Sequence, residues 1–277
     1  MILWADTFTN FFHAPIGIAA VEALEDAGYN VVVPQLHLCC GRPLYDYGML
    51  DLARRYAERV VSHMRDDIRA GVPVVGIEPS CVAVFKDELR KLLTLDEDAE
   101  RLAKQTFHLS EFLAQADYAP PQLQGRALLH GHCHHKATGG ISPEKKLLEQ
   151  MGLEVEELDS GCCGMAGGWG YEPDHYEVSM ACGERVLLPK VREASPETIV
   201  VADGFSCRSQ IEQGDTGRGG MHVAEVIKLA RDRGAIPAYP EHALSEPRHH
   251  GRRLRGAAIA LGAVALVAGA ALAYRSK

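Results

Sequence analysis

Short apolar runs recur along this chain, each bounded by glycine, proline or polar residues: ILW at 2–4, YNVVVP at 29–34, VPVVGI at 72–77, ALL at 127–129 and TIVV at 198–201. Runs of this length and content read as strands buried on both faces of a sheet. LEVEEL at 153–158 completes the set of expected strands. Between them lie stretches with the mixed apolar and polar character of helices, at 16–28, 52–71, 108–114, 143–152, 177–194 and 222–230. Strand–helix–strand alternation predicts an α/β fold with parallel sheets and right-handed crossovers.

The same order of elements occurs twice. Strand, loop, helix, strand and a Cys-Cys-Gly segment run from residue 2 to 48, and again from 127 to 171. Cys39 and Cys162 are 123 residues apart, the helix-ending Gly28 and Gly152 are 124 apart, and Cys81 and Cys207 are 126 apart. Glycine at the end of a helix fits a left-handed cap. Each copy closes with a related helix that starts at a histidine, His108 or His222. The pattern predicts two tandem repeats related by a pseudo-twofold axis, residues 1–122 and 123–232, joined near the Pro/Gly-rich stretch 120–125.

With 277 residues, 47% of them hydrophobic, the chain is long enough to bury a real core. A net charge of −8 argues against a nucleic-acid surface. The N-terminus lacks a basic region followed by an apolar stretch, so no secretory signal is read there. A chain of this size has no need of disulfide staples, so the 8 cysteines are read as thiols in a reducing compartment.

Those thiols fall at the carboxyl ends of the predicted strands, the edge at which open α/β sheets bind ligands. In the second repeat Cys133, Cys162, Cys163 and Cys207 come from three loops. Four thiolates at one sheet edge suit an iron–sulfur cluster of the 4Fe–4S type. Gly161, Gly164, Gly167, Gly168 and Gly170 flank the Cys-Cys pair and allow close backbone approach. Inert burial suits one or two cysteines better than four at repeated positions. His132 and His134, beside Cys133, are expected to hydrogen-bond the cluster or relay protons. Zinc on cysteine and histidine is the alternative metal, which would make the chain a binding module without redox chemistry. A thiol–disulfide enzyme using Cys39–Cys40 or Cys162–Cys163 ranks last, because adjacent cysteines rarely form a relaxed disulfide. The first repeat offers Cys39, Cys40 and Cys81 as a second candidate site, with Asp6, Thr7, Thr9 and Asn10 where Cys133 stands in the second. Cys182 has no counterpart and is read as a core residue.

LCCGRPLYDYG, EPSC, HGHCHH, DSGCCGMAGGWGYEPDHYEVSM and ADGFSCRSQI, in that order, resemble the cysteine-rich CCG domains of iron–sulfur oxidoreductases. That group includes the cysteine-rich subunit of heterodisulfide reductase, the iron–sulfur subunits of glycolate oxidase and anaerobic glycerol-3-phosphate dehydrogenase, and the C-terminal part of FAD-linked oxidase fusions. The resemblance covers about residues 1–232 and is nearest to the fusions. Two departures matter. The family pattern ends each repeat in Cys-x-x-Cys, but Glu78 and Gly204 stand at the first of those positions. The first repeat also lacks the leading cysteine. Five-cysteine ligation does not carry over; a four-cysteine site in the second repeat does.

The resemblance implies a non-flavin iron–sulfur subunit or domain that passes electrons for a flavin-dependent oxidoreductase acting on a small organic acid, a disulfide or a quinone. No C-x₂-C-x₂-C-x₃-C-P run and no GxGxxG after a strand are present. FAD and ferredoxin-type clusters are therefore expected on a partner chain or a missing domain. The chain is expected to be a free-standing subunit or a piece of a longer fusion.

Residues 233–255, rich in Pro, His and Arg, read as a linker. The 19 residues 256–274 carry no charge and are long enough to span a bilayer, with arginines denser on their N-terminal side. They predict a transmembrane helix that ties a cytoplasmic body to the membrane.

Overall fold

A computed structural model describes residues 1–244. The first repeat runs β1 (Ile2–Trp4), α1 (Thr7–Phe11), α2 (Ala14–Asp26), α3 (Arg42–Asp46), α4 (Leu50–His63), α5 (Arg65–Arg69), β2 (Val74–Gly76) and α6 (Pro79–Ala83). A π-helical turn (Val84–Glu88) leads on to α7 (Leu89–Leu92), α8 (Glu97–Lys104), β3 (Thr106–His108) and α9 (Leu109–Gln115). The second repeat runs β4 (Gly125–Leu129), α10 (Cys133–Thr138), α11 (Ser142–Gln150), β5 (Leu153–Glu157), α12 (Tyr176–Glu184), α13 (Leu187–Glu193), β6 (Ile199–Val201), α14 (Phe205–Gln213) and α15 (Val223–Arg233).

Each repeat forms its own three-stranded parallel sheet, in the order β1-β2-β3 in the first and β5-β4-β6 in the second. Two isolated parallel bridges, Ile2 with Val32 and Val201 with Met221, add a fourth position to each sheet. The two sheets then follow one plan. Val32 stands where β5 stands, and Met221 where β3 stands. The expected strand at 29–34 is thus a single bridge: Val32 and Val33 are 53% and 40% exposed, so no neighbour draws them into a ladder. The second repeat keeps that strand and reduces the last one instead. The helical stretch expected at 177–194 is also divided, into α12 and α13. Pro189 has no N–H to offer the Arg185 carbonyl, so the chain restarts there.

Two cores hold the repeats. In the first, Trp4 meets Phe85 edge-on at 4.7 Å among Val60, Val74 and Leu102. In the second, Leu187, Leu188, Val191, Val200 and Ile211 surround Cys163 and Cys207. The repeats also exchange contacts reciprocally. Helix α2 packs on α15, and α9 packs on α11. Glu22 pairs with Lys228 at 2.7 Å and with Arg231. Glu111 Oε2 and Glu225 Oε2 accept from the backbone N–H of His108 and His222, the same box at both helix starts. Each of those histidines reaches the other repeat. His222 Nδ1 accepts from Ala224 N, so its Nε2–H donates to the Ile77 carbonyl at 2.9 Å. His108 Nε2 lies 3.4 Å from Thr138 Oγ1.

The turn Pro240–His242 closes on the second repeat. The Glu241 side chain, 5% exposed, lies there against Arg218, 2.7 Å away. Among the described residues no helix is long and apolar enough to cross a membrane. The longest, α4, has 14 residues, about 21 Å at 1.5 Å per residue, short of a hydrocarbon core of about 30 Å. This corrects the expectation of a membrane-anchored cytoplasmic body. The segment 256–274 itself lies outside the described residues.

Candidate metal centre

The sequence places Cys-Cys-Gly after a strand twice, and the fold gives both glycines one job. Gly41 and Gly164 turn the chain at φ +81° and +99°, a conformation that costs side-chain-bearing residues energy. The turn presents two adjacent cysteines from one loop. Cys81 and Cys207 each stand in the first turn of the helix that follows β2 or β6, α6 or α14. Cys133 is the first residue of α10, after the N-cap His132, whose Nδ1 accepts from His134 N at 3.1 Å. In the first repeat Thr7 is the first residue of α1, after the N-cap Asp6. Thr7 therefore occupies the place of Cys133.

Both cysteine sets line one cavity of about 680 Å³ between the repeats, with Cys39, Cys40 and Cys81 on one side and Cys133, Cys162 and Cys163 on the other. Cys207 lies buried behind Cys163. His132, His134, Arg42, Phe8, Phe205 and Trp169 complete the lining that bears on the chemistry. Phe8 and Phe205, one from each repeat, stack at 4.2 Å. At the rim Tyr47 of the first repeat donates to Glu172 Oε1 of the second at 2.6 Å. Cys182, in α12, is not part of this lining. Asn10 donates to the Ala5 carbonyl, Thr9 donates to Asp6 Oδ2 at 2.6 Å, and neither lines the cavity.

The two sets repeat one chain of contacts. Cys133 is hydrogen-bonded to Cys162, Cys162 to Cys163, and Cys163 to Cys207, all as free thiols. Thr7 bonds Cys39, Cys39 bonds Cys40, and Cys40 Sγ lies 2.9 Å from Cys81 Sγ. Their electrostatics differ. Hydrogen bonds from Cys133 and Cys163 pull the Cys162 thiol far down, helped by the Gly164 N–H at 3.4 Å. The Cys163 hydrogen bond, with His130 and His132 nearby, outweighs burial and pulls Cys207 down as well. Cys133 and Cys163 are pushed up as the donors of those bonds. In the first set Cys39 is pushed up by its bond to Cys40 and by burial. Cys81 gains from its bond to Cys40, but burial with Asp6 and Glu78 wins and pushes it up. Two histidines thus border the second set and two carboxylates the first. A cluster or metal needs its thiolates deprotonated, which neighbouring histidines favour and neighbouring carboxylates oppose. His130, buried, pairs its Nδ1 with Ser160 Oγ at 2.6 Å and brings a ring nitrogen within 4.8 Å of the Cys163 and Cys207 sulfurs.

The two departures from the Cys-x-x-Cys pattern meet where the repeats touch, since Glu78 accepts from the residue after Gly204. A Cβ on Gly204 would lie 2.2 Å from His132 Cδ2, so the imidazole fills the space a cysteine side chain would need. Glu78 is 4% exposed and caps two helices at once. It accepts from Ser80 N of α6 at 3.2 Å and from Phe205 N of α14 at 2.8 Å. The spacing of the motifs locates all the cysteines but does not assign Glu78, Arg42, Phe8, Phe205 or Trp169 to the cavity. The Glu78 and Gly204 departures were the available signal for the first of these.

The sequence profile of the family described as "Cysteine-rich domain" (CCG) matches residues 8–86 and again 128–212. A subunit of the anaerobic glycerol-3-phosphate dehydrogenase of Escherichia coli is 30% identical over 210 residues, 74% of this chain and 52% of that protein. The D-2-hydroxyglutarate dehydrogenase of Pseudomonas putida is 28% identical over 230 residues, 82% of this chain and 22% of that protein. Lactate utilization protein A of Halalkalibacterium halodurans is 30% identical over 243 residues, 81% of this chain and 95% of that protein. The chain thus spans about half the length of the first relative and about a fifth of the second.

Proposed function

Because this chain belongs to the cysteine-rich CCG domain family, we propose that it is an iron–sulfur electron-transfer subunit or domain of a flavin-dependent oxidoreductase. The observation that carries the reading is the tetrad Cys133, Cys162, Cys163 and Cys207. It is drawn from one loop and the first turns of α10 and α14, and is bordered by His130 and His132. These four would hold a 4Fe–4S cluster, which supplies reversible one-electron transfer when bound. Four thiolates this close would repel one another, and the tetrad shares protons along its hydrogen-bonded chain instead. Iron would replace those protons. The Gly164 N–H donates to Cys162 Sγ, and such bonds tune a cluster's potential. His132 and His134 border Cys133 in the cavity, within reach of a proton that accompanies the electron.

The repeats, residues 1–122 and 123–232, have unequal roles in this reading. Cys39, Cys40 and Cys81, with Thr7, form a second candidate site, bordered by the carboxylates of Asp6 and Glu78. The flavin belongs to a partner chain or a further domain, as does any ferredoxin-type cluster. Glycerol 3-phosphate, 2-hydroxyglutarate and lactate, the compounds in the relatives' names, share a secondary alcohol. That supports a small hydroxylated organic molecule as the flavoprotein's substrate.

Anaerobic reconstitution of the full chain, followed by iron and acid-labile sulfide assay and EPR of the reduced protein, tests the reading. Wild type and Cys39→Ser should hold the cluster of the second repeat, and Cys162→Ser should lose it. Stoichiometric zinc without visible absorbance would replace the proposal with a zinc-stabilised binding module. Protein holding neither iron nor sulfide would end it.

A further inference from the structure

Helix α10 carries Cys133 and His134 into the cysteine cavity, but the next residue, His135, does not line it. His135 is 1% exposed and lies against Glu144 of α11, also 1% exposed, with Nδ1 3.3 Å from Oε2. The carboxylate of Asp203, at the carboxyl end of β6, completes the group. One ligand atom from each of the three lies within 4.8 Å of the others. Neither ring nitrogen of His135 has a hydrogen-bond partner, and neither does Glu144 Oε1. Buried polar atoms in folded proteins are paired almost without exception, and each orphan calls for a cause. Here three orphans converge on one point.

Neighbouring groups do not supply the missing partners. His108 stacks on the His135 ring at 3.7 Å through its face, and its Nε2 is directed to Thr138. His222 is 3.6 Å from Asp203 Oδ1, but its Nε2–H is used by the Ile77 carbonyl. Asp203 Oδ1 accepts from Val223 N at 2.8 Å. Burial and the Asp203 charge push the Glu144 carboxyl up to about 7. A proton on Glu144 would relieve the repulsion between the carboxylates and could pair Oε2 with His135 Nδ1, but would still leave His135 Nε2 without a partner. A divalent cation relieves both, because neutral imidazole and two carboxylates balance its charge.

We propose that His135, Glu144 and Asp203 bind a divalent cation of borderline softness, such as zinc, at a site separate from the cysteine cavity. One nitrogen and two oxygens suit zinc, iron(II), manganese or cobalt, and three protein ligands leave a fourth position for water. The cation ties α10, which carries Cys133, to α11 and to the segment before α14, which carries Cys207. The inference stands whether or not the cysteines hold a cluster.

Cobalt(II) is the probe, because thiolate-bound cobalt has intense near-ultraviolet charge-transfer bands that nitrogen and oxygen ligands do not give. The full chain is titrated anaerobically and followed by absorbance and by metal analysis after desalting. Wild type should retain one cobalt that adds ligand-field absorption without charge-transfer intensity. Glu144→Gln and His135→Gln should lose that equivalent, with affinity for it falling about a hundredfold or more, and keep any thiolate bands. Glu144→His, which restores a ligand, should regain it. Wild type that retains cobalt only with thiolate bands, or retains none, overturns the proposal whatever the variants do. Equal binding by wild type and folded Glu144→Gln overturns it too.

Discussion

A Cβ on Gly164 would sit 2.1 Å from the Ser179 carbonyl oxygen, whereas one on Gly41 would meet nothing nearer than Tyr56 Cβ at 3.4 Å. Both glycines have positive φ, so alanine strains the backbone at either place, by about 1–2 kcal/mol. Only at Gly164 does it also collide with main chain. Gly164→Ala should therefore cost roughly 3 kcal/mol or more, and Gly41→Ala about half of that. Denaturant unfolding of the two variants measures the difference, and equal losses would contradict it. The same residue-scale reasoning explains why Thr7 is significant. It holds the position of Cys133 and bonds Cys39 as Cys133 bonds Cys162. An alignment of the repeats by spacing leaves several candidates in ADTFTNFF. The helix cap selects one, because Asp6 and His132 both stand just before the first helical residue.

At the scale of elements, the turn Pro240–His242 is held by a buried ion pair. Arg218 bonds both Glu241 oxygens and the carbonyls of Ser195 and Thr198, and both side chains of the pair are 5% exposed. Glu241→Gln leaves a buried guanidinium without its counter-charge and should cost about 3 kcal/mol. Burial works against the Glu241 charge, but Arg218 and the Gly219 N–H outweigh it and hold the carboxyl below its ordinary 4.5. A depressed carboxyl stabilises the fold above its unfolded value and loses that contribution as pH falls through the folded one. The gap in stability between wild type and Glu241→Gln should be full above pH 4.5 and shrink below it. A gap that widens on acidification would show that the pair is not the cause. The strand expected at 29–34 also belongs to this scale. Its valines satisfy every local preference for a strand, yet only Val32 finds a partner. Apolar content states a preference; a neighbour at the right register decides whether it is met.

Across the whole molecule the two repeats act as one body, Met1–Ala243. Glu78 caps a helix in each, His222 and His108 each reach the other repeat, and the cavity takes its walls from both. Unfolding in denaturant should follow one transition by fluorescence and by circular dichroism; two separated transitions would mean that the repeats are independent. Glu78→Ala strips both caps and leaves the Phe205 N–H without its acceptor, for a loss of about 2 kcal/mol. Glu78→Gln keeps an acceptor oxygen and should recover about half of it. Equal stability of these two variants would remove Glu78 from the bridge.

The sequence by itself determined the duplication, the parallel α/β class and the cysteines at the strand ends. Each of these is written locally, in runs of apolar residues, in helix-ending glycines and in spacings near 125 residues. It also marked Glu78 and Gly204 as departures from a pattern, without saying what filled the space. Tertiary structure alone decided that the two cysteine sets share one cavity, that carboxylates border one set and histidines the other, and that His135, Glu144 and Asp203 converge. The physical reason is distance along the chain. Hydrophobic periodicity is set by neighbours within a few residues, whereas charge, burial and ligation depend on groups that only a packed chain brings within a few ångströms.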